Sequence, residues 1–259
     1  MFFKTNNIEL KTSAEIDKMR VACRVVAEVL EQLEYIIKPG ISTKHIDKFA
    51  DGYIRSKNMF PAFLGVAGSK YPFPTASCVS INDEVVHGIP DKSRIVRDGD
   101  IVSVDIGVLY DGYYGDAART YPVGKMSEIA ARLLDKTEAS LYEGIKYALN
   151  GNRLGDISNA VQRTAESAGF SVVRDFVGHG IGKQLHEDPP IPNYGKAGTG
   201  IKLQSGMVLA IEPMLNAGRY EVDMLDNSWT IATRDGSLSA HFEHTVAIND
   251  SGNEILTKV

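Results

Sequence analysis

The chain has two cysteines, Cys23 and Cys78, a single tryptophan, and no long apolar run. Two thiols are too few for a disulfide framework or a zinc ribbon. No stretch approaches the ~20 apolar residues that span a bilayer. The opening MFFKTNNIELKTSAEI shows no small-residue cleavage pattern and does not read as a signal peptide. Basic charge is also lacking: the net charge of -5 provides no general nucleic-acid surface. These absences predict a cytoplasmic protein with neither membrane nor nucleic-acid partners. What is present is ordinary for a globular protein, with 43% hydrophobic and 24% charged residues. At 259 residues the chain can bury a full core.

Helical signals come in pairs. Thr12 with Glu15 forms a capping box, and Ile16, Met19, Cys23, Val26, Leu30, Leu33 and Ile37 alternate steps of three and four along one helical face. Pro39-Gly40 ends that helix, and Ser42 or Thr43 caps a second one running to about Lys57. The plan then repeats. Ser127 caps a helix with Ile129, Leu133, Leu141 and Ile145 on one side, Asn150-Gly151 stops it, and Asp156 caps another reaching Gly169. Gly40 and Ile46 match Gly151 and Ile157 at an offset of 111 residues. A second echo, at an offset of 107, pairs GDIVSVD ending at Asp105 with GMVLAIE ending at Glu212. Two halves, roughly 13–123 and 127–248, therefore share one plan within a single domain, 1–259, after a short lead-in over 1–12. The expected class is α+β.

Asp105 lies in IVSVDIGVLY, which reads as a buried strand. A carboxylate there is costly unless compensated, by a salt bridge, a strand end or a metal. Asp111-Gly112 is a two-residue hairpin signal; closing it sets Tyr110 opposite Tyr113 and Gly107 opposite Asp116. Asp105 and Asp116 then share a face as diagonal neighbours, with Gly107 expected to leave empty space beside them. Two like charges so placed need a proton or cations between them. The second half offers Glu212, Glu243 in the strand-like SAHFEHTVAI, and His179 in VGHGIG. Four carboxylates and one imidazole suit two divalent ions, with Mn, Fe(II), Co or Zn chemically acceptable.

Other chemistries fit less well. GHGIG runs into KQLHEDPP, whose prolines stop the helix a dinucleotide-binding loop requires. H-E-x-x-H and G-x-S-x-G are both absent. Nothing beside Cys78 lowers its pKa, so it reads as a buried or pocket-lining thiol.

With these residues assembled, the chain resembles the type I methionine aminopeptidases of the pita-bread fold from end to end. The segments that carry the likeness are INDEVVHGIP, DGDIVSVDIG, YYGDAART, GHGIGKQLHEDP, MVLAIEPM and NSWTIATRDGSLSAHFEHT. The resemblance implies a pseudo-two-fold antiparallel sheet with two pairs of helices on its outer face. It implies that Asp105 is a terminal ligand to one ion, that His179 and Glu212 bind the other, and that Asp116 and Glu243 bridge both. His87 and His186 would meet the substrate, Glu212 would shuttle a proton, and Trp229, Phe63 and Cys78 would line the methionine pocket. His45 is assigned to a helix surface; His241 and His244 remain unassigned neighbours of Glu243.

The implied activity is metal-dependent removal of the initiator methionine, preferably before a small second residue. Implied partners are the N-termini of nascent or newly made proteins and short Met-X peptides, near the ribosome, with the enzyme a monomer. Leu185, Val86 and the long segment AFLGVAGSKYPFPTASC depart from the commoner family pattern, and these differences bear on the pocket. Proline-specific relatives share fold and metals but carry an extra N-terminal domain, whereas about a dozen residues precede the first helix here. Metal-free relatives of the creatine-hydrolysing type, and binding modules on the same fold, tend to lose ligands. All five are present in this chain.

Overall fold

A computed structural model describes residues 8–68 and 70–258. The first seven residues of the lead-in, and Ser69 within the long pocket segment, lie outside the described residues. Helices α1 (Ser13–Ile36) and α2 (Thr43–Ser56) open the first half. They are followed by β1 (Phe60–Pro61), β2 (Ser77–Ile81), β3 (Glu84–Val86), β4 (Ile101–Tyr110) and β5 (Tyr113–Pro122). The second half begins with α3 (Glu128–Ile145) and α4 (Leu154–Ser167), then β6 (Ser171–Val172), β7 (Gly178–Gly180), β8 (Glu187–Ile191) and β9 (Val208–Ile211). It closes with β10 (Met214–Asn216), β11 (Val222–Met224), β12 (Ile231–Thr233), β13 (Ser239–His241), β14 (His244–Asn249) and β15 (Gly252–Ile255).

The two halves echo each other in backbone detail. The Thr12–Glu15 capping box forms, and Ser42 caps α2. Gly40 and Gly151 both turn through positive φ, at 92° and 95°, a conformation that favours glycine. Ile46 and Ile157 are both fully buried. Isolated bridges join Ser42 to Ile95 in one half and Arg153 to Lys202 in the other, again offset by 111 and 107 residues.

Three sequence expectations are corrected. Asp156 does not cap α4; it sits one turn in, and its carboxylate accepts the backbone N–H of Arg153, the N-cap residue, at 2.8 Å. Ile129 points outward and is 41% exposed, because steps of four overrun the 3.6-residue turn and rotate the first member off the buried stripe. Helix α3 ends at Ile145, with turns carrying the chain to Asn150-Gly151.

Every strand pairing is antiparallel. Strand alternation then divides each sheet into two faces. On β4, Val102, Val104, Ile106 and Val108 pack under α1 and α2 with Val26, Val29 and Leu33. On β9 and β14, Leu209, Ile211, Val246 and Ile248 pack under α3 and α4 with Leu133, Leu141 and Val161. Truncating one of these buried aliphatics to alanine costs about 2–5 kcal/mol. The opposite faces turn inward and carry the carboxylates. The halves meet where residues 116–120 run against 241–245. Glu243 N–H donates to Ala118 O at 2.9 Å, Thr245 Oγ1 donates to Asp116 O at 2.7 Å, and Thr120 Oγ1 donates to His241 O at 2.8 Å. Among the described residues, no helix is long and apolar enough to cross a membrane.

Candidate metal centre and substrate pocket

The hairpin closes in the expected register, with Gly107 opposite Asp116 and Tyr110 opposite Tyr113. That register turns Asp105 and Asp116 onto one face, where their side chains meet. Glu212 follows the last residue of β9, and Glu243 falls in the break between β13 and β14, so each sits at a strand end. His179 occupies the middle of β7.

Ligand atoms of Asp116, His179 and Glu243 all lie within 4.8 Å of one another. Asp105 flanks this trio beside Asp116, and Glu212 flanks it with Oε1 3.6 Å from His179 Nε2. The five expected ligands are thus brought together around a common centre, two from the first half and three from the second.

Asp105 Oδ1, Asp116 Oδ1 and Glu243 Oε1 are buried without a hydrogen-bond partner. Such atoms are rare and costly in a native interior. Burial raises the Asp105 carboxyl to about 7, against the pull of His241 and with the nearby Glu212 adding to the rise. Burial likewise raises Glu212 to about 8. Burial, then mutual repulsion, pushes Asp116 and Glu243 well above the usual carboxylate range. An oxygen-rich set of this kind, with one imidazole lowered to about 3 by burial and so neutral at pH 7, fits divalent cations. His179 Nδ1 lies 2.9 Å from Gly180 O; a proton on that nitrogen leaves Nε2 free to face an ion.

A cavity of about 780 Å³ opens from this centre. Phe63, Val66, Phe73, Cys78, Leu185 and Trp229 supply its apolar wall. Phe73 meets Trp229 edge-on at 5.0 Å. The region beside Gly107 is filled, contrary to the sequence expectation: a Cβ there would lie 2.6 Å from the Phe63 ring and 2.9 Å from Ala62 Cβ. The glycine makes room for the aromatic side chain that shapes the pocket. Burial of Cys78 beside Asp105 and Asp116 drives its thiol pKa well up, which leaves it an inert wall residue.

His87 and His186 both border the cavity. His186 stands edge-on to His179 at 4.5 Å between ring centroids. His87 meets Phe176 at 5.6 Å and Trp229 at 6.0 Å, edge-on to each. Burial lowers His87 to about 4, with His241 and His186 adding to the shift, and burial lowers His186 as well. Both imidazoles are neutral at pH 7 and can donate one N–H each.

His241 joins the site unanticipated. It is 2% exposed, its Nε2 lies 3.3 Å from Glu212 Oε2, and that nitrogen has no aligned hydrogen-bond partner. The signal available in the sequence was its spacing, two residues before Glu243, which places both side chains toward one face of an extended chain. His244, by contrast, turns away to Tyr142 and Thr257. His45 lies exposed on α2 as expected.

The sequence profile of metallopeptidase family M24 matches residues 17–250. The methionine aminopeptidase of Clostridium acetobutylicum is 52% identical over 250 residues, covering 96% of this chain and 98% of that protein. Methionine aminopeptidase 1 of Bacillus subtilis is 51% identical over 249 residues, covering 96% and 98%. The crystal structure of methionine aminopeptidase from Thermotoga maritima superposes with a TM-score of 0.95 at 47% identity, covering 98% of this chain and all of that one. The prolidase of Pyrococcus horikoshii shares the fold, with a TM-score of 0.75 at 20% identity, and this chain covers 63% of it. From the paired halves, the buried donor set and these likenesses together, the chain belongs to metallopeptidase family M24, among its methionine aminopeptidases.

Proposed function

We propose that Asp105, Asp116, His179, Glu212 and Glu243 would hold two divalent ions in this enzyme, and that it releases the initiator methionine from newly made proteins. The observation that carries this reading is the junction of an apolar, aromatic-walled cavity with one imidazole and four carboxylates, Asp116 and Glu243 buried and Asp105 and Glu212 half-buried. A methionine side chain suits such a wall, since it is unbranched and its sulfur gains from contact with aromatic edges.

Divalent ions held at these donors would supply Lewis acidity and a water-derived nucleophile near neutral pH. Glu212, at the edge of the donor set, would be ionised with the cations bound and is then placed to take a proton and pass it toward the leaving amine. His186 and His87, both neutral, donate hydrogen bonds to the substrate peptide unit and stabilise charge developing on its carbonyl oxygen. Phe63, Cys78 and Trp229 hold the side chain of the first residue. Its amino group lies toward the carboxylates, which limits cleavage to one residue from the end.

A small second residue, a monomeric enzyme at work in the cytoplasm near the ribosome, and one catalytic unit spanning both halves complete the proposal. Ligand chemistry admits Mn, Fe(II), Co or Zn. The test is release of methionine from a panel of Met-X peptides beside X-Pro peptides, before chelation, after it, and after metal is restored. Loss and recovery of Met-Ala cleavage is expected. Cleavage of X-Pro peptides with no action on Met-X would replace this reading by a proline-specific one.

A further inference from the structure

His87 is held in a conformation that its own backbone disfavours. Its φ is +58°, in the left-handed region where a side chain incurs strain. The peptide that follows it is gripped on both edges. Thr230 Oγ1 donates to His87 O at 3.2 Å, and Gly88 N–H donates to Ser80 Oγ at 3.1 Å. Gly88 itself is pressed against β2, where a Cβ would fall 2.3 Å from Val79 O.

The Thr230 contact belongs to a hydrogen-bonded relay of fixed direction. Asn227 Oδ1 accepts the backbone N–H groups of Trp229 at 3.1 Å and Thr230 at 2.9 Å. Its Nδ2 therefore faces the other way and donates to Thr230 Oγ1 at 2.8 Å. The hydroxyl, accepting from an amide, has its one proton left for the His87 carbonyl. Thr230 is fully buried, and Ile231, next along, pairs with Val86. This places the end of the β11–β12 hairpin directly beside the histidine. The same short turn carries Trp229, whose indole forms a wall of the pocket and meets the His87 ring.

We infer that Thr230, oriented by Asn227, is a positioning residue that holds His87 in its left-handed conformation and ties it to the turn bearing the pocket wall. The inference rests on the proposed role of His87 toward the substrate. Removing the hydroxyl takes away the partner of Asn227 Nδ2 and of His87 O, and the strained peptide loses one of its two restraints. The histidine then drifts from its working position while the methionine pocket and metal donors stay in place.

The experiment compares Thr230→Val, which keeps shape and removes the hydroxyl, with Thr230→Ser, which restores it, and with His87→Ala. Each variant is tested as the metal-loaded protein, with metal stoichiometry and thermal melting measured alongside. Thr230→Val is expected to lower kcat roughly 10- to 100-fold, the scale of a misplacement of about 1 Å. KM should change less than threefold and metal content should not change. Thr230→Ser should recover kcat to within about threefold of the parent. Unchanged kcat in Thr230→Val, an effect confined to KM, or failure of serine to rescue a folded, metal-replete enzyme overturns the inference. Full activity in His87→Ala instead overturns the role given to His87, so the two failures are told apart.

Discussion

The carboxylates that make the metal centre should leave a distinct mark on the metal-free protein. Above pH 6.5 an unfolded chain has ionised its carboxyls and discharged its histidines. The folded chain still holds protons on buried acids: Glu212 is raised to about 8 and Asp105 to about 7, with Asp116 and Glu243 displaced the same way. The native state therefore binds more protons than the unfolded one, so stability falls as pH rises. The buried histidines have folded pKa values below their ordinary one. They oppose this trend only below about pH 6.5, where the unfolded chain takes up their protons.

Between pH 6.5 and 8, Glu212 alone accounts for a loss of ~2 kcal/mol, and the other three carboxyls add to it. For a chain of this size that lowers the melting temperature by at least about 4–8 °C. The assay is a series of melts on chelator-stripped protein across that interval, with metal-loaded protein as control. Bound cations neutralise the cluster, so the loaded protein should show a much flatter profile. Asp116→Asn should raise the melting temperature of the stripped protein at pH 8 while abolishing metal binding, since the amide is neutral without taking up a proton that the unfolded chain would release. A flat or rising profile for the stripped wild type would show that these acids are not held protonated in the fold.

Gly107→Ala should drive the Phe63 ring into the pocket, raising KM for Met-X peptides and costing about 1–3 kcal/mol of stability, read by steady-state kinetics and melting. His241→Ala removes the imidazole beside Glu212 Oε2 and should weaken metal binding about 10- to 100-fold, read by titration calorimetry. Thr12→Ala deletes one half of the α1 capping box and should cost about 1 kcal/mol with kcat unchanged, read by denaturant titration and turnover.

Local rules accounted for much of the molecule. The Thr12–Glu15 box, the three-and-four spacing after it, and the Asp111-Gly112 turn each act over a few residues, and each leaves a direct trace in the sequence. From that turn alone came the register that sets Asp105 and Asp116 on one face. Asp156 was harder to read because an acid can serve a helix start from the cap or from one turn inside, and the two differ only in which backbone N–H it meets. The space beside Gly107 is filled by a residue from β1's end of the chain, more than 40 positions earlier, which no local pattern reveals. His241 reaches Glu212 because β13 pairs with β10, Met214 opposite His241, and β14 pairs with β9, His244 opposite Ile211, a register that local patterns do not reveal. Thr230 was equally hidden, for its partner at His87 is brought in by the pairing of β12 with β3.

The seam between 116–120 and 241–245 has a consequence beyond holding the halves together. Asp116 stands on one side of it and Glu243 on the other, so two of the proposed metal donors that lie close together belong to different halves. A correctly docked pair is the only arrangement that presents the full donor set. On the proposed ligand set, metal uptake would therefore report on assembly: a molecule whose halves had closed out of register would lack part of the donor set and should take up metal poorly.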